Sequence, residues 1–293
     1  MKQAYLIMAH NNFEYLKRLI EYITNDERSV VFLHVDKKAE RTVLEKCLGE
    51  SLLKRINLVP SIDVTWGGFS QIACELQLLT AAVEAKEEYL YYHLLSGADL
   101  PVKDMKVIND FFELHAGKEF LYYDINNNSE MARERCKEFH VFQEIVGRNR
   151  QGAISWLEDK LLSLQRHIGI DRTARIAPYL GKGANWFSIT DGFAKEVVKQ
   201  KPFIYRYFKY TKCADEVFLH TVLNKTQYRC NLISAKELAP GVQYTNMVYT
   251  DWNRGNPYVF QAEDVPALVA SPYLFARKAR DSDLFGIVKE MVK

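Results

Sequence analysis

The feature that most constrains this chain is the alternation of short apolar runs with amphipathic helical patterns over its first 125 residues. Residues 4–8 read as a buried strand. Residues 15–24 read as a helix with Leu16, Leu19, Ile20 and Ile23 on one face, and 30–35 as a second strand. A helix over 42–48 and an extended run over 56–59 follow. Ser70 is expected to cap a long helix through Ile72, Leu76, Leu79 and Ala82. A strand over 89–95, a helix over 105–114 and a strand over 120–123 complete the series. Strands that are apolar throughout and separated by helices specify an α/β fold with a mostly parallel sheet covered on both faces. Such sheets hold ligands beyond the carboxyl ends of their strands. Chemistry is therefore expected in the loops that leave them.

Beyond residue 125 the pattern loosens. Residues 126–128 form a polar turn, and 133–138 are dense with charge. Residues 156–167 read as a surface helix with apolar spacing at Trp156, Leu161, Leu162 and Leu164, and with Lys160 and Arg166 beside them. Contact with a membrane surface is the second reading of that helix. A strand over 186–189 and helices over 193–199, 215–223 and 284–292 follow. There is no internal repeat, low-complexity tract or Gly/Ser linker, which favours a single domain over 1–293.

Charge and cysteine usage exclude some classes. Lys and Arg number 39 against 37 Asp and Glu, a net charge of +2, so the overall balance gives no sign of a nucleic-acid partner. The five cysteines show no CxxC spacing, which fits a reduced compartment and no zinc site. The apolar run over 4–9 is too short for a signal peptide or a membrane span. A cytoplasmic location, at most against the inner face of the membrane, is expected.

Several strand ends could carry chemistry, and each has an ordinary structural alternative. Asp36, in His34-Val35-Asp36-Lys37-Lys38, suits a base or ribose hydroxyl, or simply a turn. Asp99, in Ser96-Gly97-Ala98-Asp99-Leu100-Pro101, suits a ligand at the sheet edge or a cap on nearby amides. Glu216 follows Asp215 at an expected helix start, where the helix dipole favours an ionised carboxylate. It is a candidate general base or plain helix-end electrostatics. Arg277 and Lys278 could neutralise a diphosphate or form a solvated charge run. Asp281-Ser282-Asp283 has a DxD form but sits near the C-terminus, and it reads as a surface cap. Trp186, Tyr249 and Trp252 could stack on sugar rings or pack in the core.

Taken in order, these pieces resemble the core-2/I-branching β-1,6-N-acetylglucosaminyltransferase family (glycosyltransferase family 14), which also contains the peptide O-xylosyltransferases. The series begins with Ala4-Tyr5-Leu6-Ile7-Met8-Ala9-His10, His34-Val35-Asp36-Lys37-Lys38 and Val64-Thr65-Trp66-Gly67-Gly68. It continues with Ser96 through Lys103, Gly183-Ala184-Asn185-Trp186-Phe187 and Asp215-Glu216, and ends with Asp251-Trp252 and Leu274 through Lys278. The resemblance implies a GT-A-like Rossmann-type fold, with a nucleotide-sugar half over 1–125 and an acceptor and catalytic half over 126–293. It implies a UDP-sugar donor, with N-acetylglucosamine favoured over xylose, and inversion at the anomeric carbon. Glu216 would be the base, and Lys278 would bind the donor diphosphate with Arg277 or Arg254. His10, Asp36 and Asp99 would serve the nucleotide; Trp186, Tyr249 and Trp252 would serve the acceptor. A glycan or glycolipid acceptor, no metal and no cofactor complete the expectation. Lacking the membrane anchor and paired cysteines of Golgi members, the chain resembles a bacterial-type member engaged in surface glycan synthesis. A non-catalytic nucleotide-sugar or glycan-binding domain is the alternative from another class.

Overall fold

The structure, a computed structural model, describes residues 1–124 and 128–292. The boundary expected between the two halves, and most of the turn expected at 126–128, fall outside those residues. In chain order the first elements are β1 (Lys2–Ala9), α1 (Phe13–Ile23), β2 (Ser29–Val35), α2 (Arg41–Leu53), β3 (Ile56–Leu58), α3 (Phe69–Val83) and β4 (Tyr89–Ser96). Next come β5 (Asp99–Pro101), α4 (Met105–Leu114), α5 (Asn128–Lys137), α6 (Gln143–Val146), α7 (Ala153–His167), β6 (Ser188–Thr190), α8 (Asp191–Lys199) and α9 (Lys201–Phe208). The chain closes with α10 (Phe218–Lys225), β7 (Val248–Thr250), α11 (Val265–Ala270), β8 (Phe275–Arg277) and α12 (Leu284–Met291).

The main sheet runs β3-β2-β1-β4-β6, with the first four strands parallel and β6 antiparallel. Along β1, alternate residues enter opposite layers. Tyr5 and Ile7 join the core that includes α1 and α12, whereas Ala4 and Leu6 join the core under α3, α8 and α10. Each fully buried large side chain contributes roughly 1.5–3 kcal/mol. A strand buried on both faces cannot slip register without breaking both layers. The mostly parallel α/β sheet read from the sequence is the one found. Among the described residues no helix is long and apolar enough to cross a membrane.

Three local expectations change. Residues 120–123 make only isolated bridges, Phe120 to Ser188 and Tyr123 to Gly183. Ser70 is not the cap of α3, which Gly68 opens. Instead Glu144 accepts from the Ser70 amide at 2.7 Å and from its hydroxyl at 2.8 Å. The helix expected over 215–223 begins at Phe218, after a short 3₁₀ turn over Ala214–Glu216. A second sheet, β5-β8-β7, was not apparent from periodicity, because its strands have three residues each.

Candidate active site

Beyond the carboxyl ends of β1, β2 and β4 lies a cavity of about 1460 Å³. β1 delivers Met8, Ala9 and His10 to its wall, β2 delivers His34 and then Asp36, and β4 delivers Ser96 and Gly97. Asp36 is braced by backbone: Oδ1 accepts from the Lys38 amide at 2.8 Å and Oδ2 from the Val64 amide at 3.3 Å. The His34 Nε2 accepts from the Ile62 amide at 3.1 Å, and burial lowers the imidazole pKa. A neutral ring fits that bond. Gly97 lets β4 close on β1, because a Cβ there would sit 3.0 Å from the Ala9 methyl.

Glu216 lines the same cavity. Its turn is held by the Trp66-Gly67-Gly68 motif: the Cys213 amide donates to the Gly67 carbonyl at 2.8 Å. Cys213 itself sits at φ 50°, a left-handed conformation costly for a side-chain-bearing residue. Gly67, at φ 69°, must be glycine twice over, since a Cβ would also approach the Cys213 Sγ to 3.0 Å. Glu216 lies ahead of α10, in the 3₁₀ turn that precedes it, and not in the first turn of the helix. Two cations pair with it, Arg135 Nη1 at 2.8 Å and Lys182 Nζ at 3.4 Å, both on Oε2. Lys182 also pairs with Asp124. The side chain remains 37% exposed, open to the cavity it lines.

The cavity also gathers positive charge. Lys278, Arg277, Arg280 and Arg148 all line the cavity. The Lys278 ammonium pKa is lowered first by burial, then by Arg277, Arg280 and Arg148. Arg277 lies over the Trp186 ring at 3.9 Å and reaches Asp99 Oδ1 at 3.2 Å, an ion pair not aligned as a hydrogen bond. Lys278, Arg280 and Arg148 form no ion pair among the described residues. Such a cluster favours a multiply charged anion, which would relieve the mutual repulsion.

His10, Asp36, Trp186, Glu216, Trp252, Arg277 and Lys278 therefore meet on one cavity, with Trp252 57% exposed at its edge. Asp99, Tyr249 and Arg254 do not line it. Asp99 is fully buried; its carboxylate accepts from the Ser96 amide at 2.7 Å and pairs with Arg277 across the β5–β8 register, so it braces the loop and the cation. Tyr249 points away because a strand alternates: Val248 and Thr250 face the cavity, and Tyr249 packs against Tyr273 and Phe260. Arg254 is taken by Asp251 at 2.6 Å and Asp264 at 2.7 Å, with its guanidinium over Tyr258.

Sequence reading missed Lys182, Arg135, Arg148 and Arg280. For Lys182 a signal existed in Gly181-Lys182-Gly183. A Cβ on Gly183 would fall 1.8 Å from the Tyr122 carbonyl, so backbone there must pass close to its neighbour.

Beside Glu216 lies a buried acid pair. Glu75, on α3, is fully buried, and neither carboxyl oxygen has a well-aligned hydrogen-bond donor among the described residues, with only the Asn185 side chain acting to lower its pKa. Its pKa is raised well above the usual range by burial first and the Asp215 carboxylate second. Asp215 is pushed up to about 7 by burial, then by Glu216. A carboxyl whose folded pKa is raised stabilises the fold at low pH and loses that contribution as pH climbs above its unfolded value near 4. Glu75→Gln cannot ionise. The variant should thus gain on the parent as pH rises from about 5 to 8, by up to about 1.4 kcal/mol for each pH unit over which the folded carboxyl stays protonated. Chemical denaturation across that range checks it; parallel curves for the two proteins would refute it.

Comparison with known proteins bears on the family of the chain. The model of the family described as Core-2/I-Branching enzyme matches residues 3–268. Two curated relatives, the proteins named Xylosyltransferase oxt of Drosophila melanogaster and of Drosophila pseudoobscura pseudoobscura, are each 23% identical over 270 residues. The match covers 85% of this chain but 28% of either relative, so the chain spans little more than a quarter of their length. Among solved structures, one from Bacillus anthracis, named for glucose-1-phosphate thymidylyltransferase and crystallised with sucrose, aligns with a TM-score of 0.39 and 11% identity. That alignment covers 79% of this chain and 85% of the other, and it is too weak to bear on the site.

Proposed function

The chain belongs to the Core-2/I-branching enzyme family, and from that premise we propose that it is an inverting glycosyltransferase. It would move a sugar from a UDP-sugar to an acceptor hydroxyl on a glycan or glycolipid. One observation carries the reading. Glu216 and Lys278 line the same cavity, large enough for a nucleotide sugar, at the edge where parallel sheets bind such ligands. His10, His34 and Asp36 stand where the nucleotide would lie. Glu216 takes the proton of the acceptor hydroxyl as its oxygen attacks the anomeric carbon from the face opposite the diphosphate. Negative charge grows on the departing diphosphate, and Lys278 with Arg277 and Arg280 stabilises it. A transition state of oxocarbenium character is expected. Trp186, already stacked under Arg277, and the exposed Trp252 offer faces for sugar rings.

The cationic cluster supports transfer without a metal, since it offers the charge that a divalent ion would otherwise supply. Transfer should therefore persist in excess chelator. Collapse of the rate, with recovery on adding manganese, would overturn that part of the proposal.

N-acetylglucosamine is the favoured donor sugar. Xylose is the second reading, and the names of the two relatives favour it. Release of UDP from a panel of UDP-sugars in the presence of acceptor glycans separates the two. Saturable binding without turnover of any donor would instead identify a binding domain.

A further inference from the structure

We propose that α7 is an interfacial element that seats the protein on an anionic lipid surface. Eight of the twenty exposed large apolar side chains among the described residues fall between 139 and 168, about a tenth of the chain. On α7 they form a line. Ile154, Leu157, Leu161 and Leu164 recur at intervals of three and four, which places them on one stripe of the helix, and Ile168, its C-terminal cap, continues the spacing. Leu161 is half-buried and the other four are exposed. The face that packs on the protein is a different one, with Ser155, Glu158 and Leu162 buried. Trp156, at 63% exposure, borders the stripe with the Lys160 ammonium 5.6 Å from its ring centroid. An indole and an ammonium beside an apolar stripe suit the headgroup boundary of a bilayer.

Stripes with this spacing also dock on other helices, and charge decides between the two occupants. In a paired helix the flanking positions would be Lys160 and His167 on one side, Glu158 and Gln165 on the other. Glu158 is fully buried and accepts from the Phe142 amide at 3.0 Å; Gln165 is engaged with the Phe139 backbone. A second copy would thus meet Lys160 and His167 with no available acid. Arg150 is already paired with Asp159, and Arg166 with Glu138. An anionic surface complements the flank, and a second copy does not. The helix also adjoins the cavity. α7 packs on α6, and α6 reaches the cavity-wall residue Trp66, whose carbonyl accepts from Gln143 at 3.3 Å. α7 is thereby tied to the cavity wall through α6.

The test is sedimentation of the full chain with vesicles of phosphatidylcholine, with and without phosphatidylglycerol. Binding is expected to the anionic vesicles and to fall as salt rises. Trp156→Ser with Leu164→Ser should lower partitioning at least ~tenfold, and Lys160→Glu by about tenfold. Both variants should keep the parental melting curve and the parental turnover of a water-soluble acceptor, since neither site touches the cavity. Equal partitioning of parent and double variant would overturn the proposal. So would a concentration-dependent dimer, abolished by Leu164→Ser, in a protein that ignores vesicles.

Discussion

Glu216→Gln should transfer sugar about two to four decades more slowly than the parent at saturating donor and acceptor, the usual contribution of a general base. The substitution keeps the size and most of the hydrogen-bonding capacity of the side chain, so the turn from Cys213 onward should survive. What disappears is the ability to take a proton from the acceptor. Donor affinity should change little, because the proposed contacts to the diphosphate come from Lys278 and the arginines around it and not from Glu216. Loss of rate at unchanged donor KM marks an interaction made in the transition state. A Glu216→Gln enzyme that turns over near the parental rate would remove the base from this account. Arg135 and Lys182 refine the expectation. Both hold Oε2, so Arg135→Ala should disturb aim more than chemistry and cost less than loss of the carboxylate itself.

The second large effect belongs to Lys278. Lys278→Met should lower the transfer rate on the order of 10²–10³-fold, as loss of one preorganised charge at a developing anion does elsewhere. The size reflects the setting, since burial strengthens a charge's action on its neighbours. Unlike the Glu216 variant, this one should also bind UDP more weakly, because the ammonium meets the diphosphate before and after transfer. Turnover and UDP affinity are read together by steady-state kinetics and calorimetry. Parental UDP binding in Lys278→Met would place the diphosphate elsewhere. The fold should tolerate the change. Lys278 has no ion-pair partner to orphan among the described residues, and its exchange relieves repulsion from Arg277, Arg280 and Arg148.

The sheet was legible because its signal is local. β1, β2 and β4 are apolar on both faces, and the intervening helices show a 3.6-residue stripe, so each element is visible within its own window. The site was legible to the extent that its residues leave those strands or fall in contiguous motifs: His10, Asp36, Trp186, Glu216 and Lys278 all reach the cavity. Failures arose where a role depends on a partner far along the chain. Asp99 serves Arg277, 178 positions away, through a three-residue pairing too short to show as periodicity. Tyr249 was misplaced because strand alternation sends it, and not Val248 or Thr250, to the aromatic core. Arg254 is claimed by Asp251 and Asp264, which spacing alone does not reveal. The cations around Glu216 come from a charge-dense helix, α5, and a glycine-flanked loop with no ligand signature of their own.

The most direct test of the central claim is a crystal structure of the protein with UDP and an acceptor glycan. The account predicts the β-phosphate within hydrogen-bond distance of the Lys278 Nζ, and the acceptor hydroxyl within about 3 Å of a Glu216 carboxylate oxygen. A sugar-sized gap should separate the two. A diphosphate bound away from Lys278, or an acceptor that leaves Glu216 facing solvent, would contradict it.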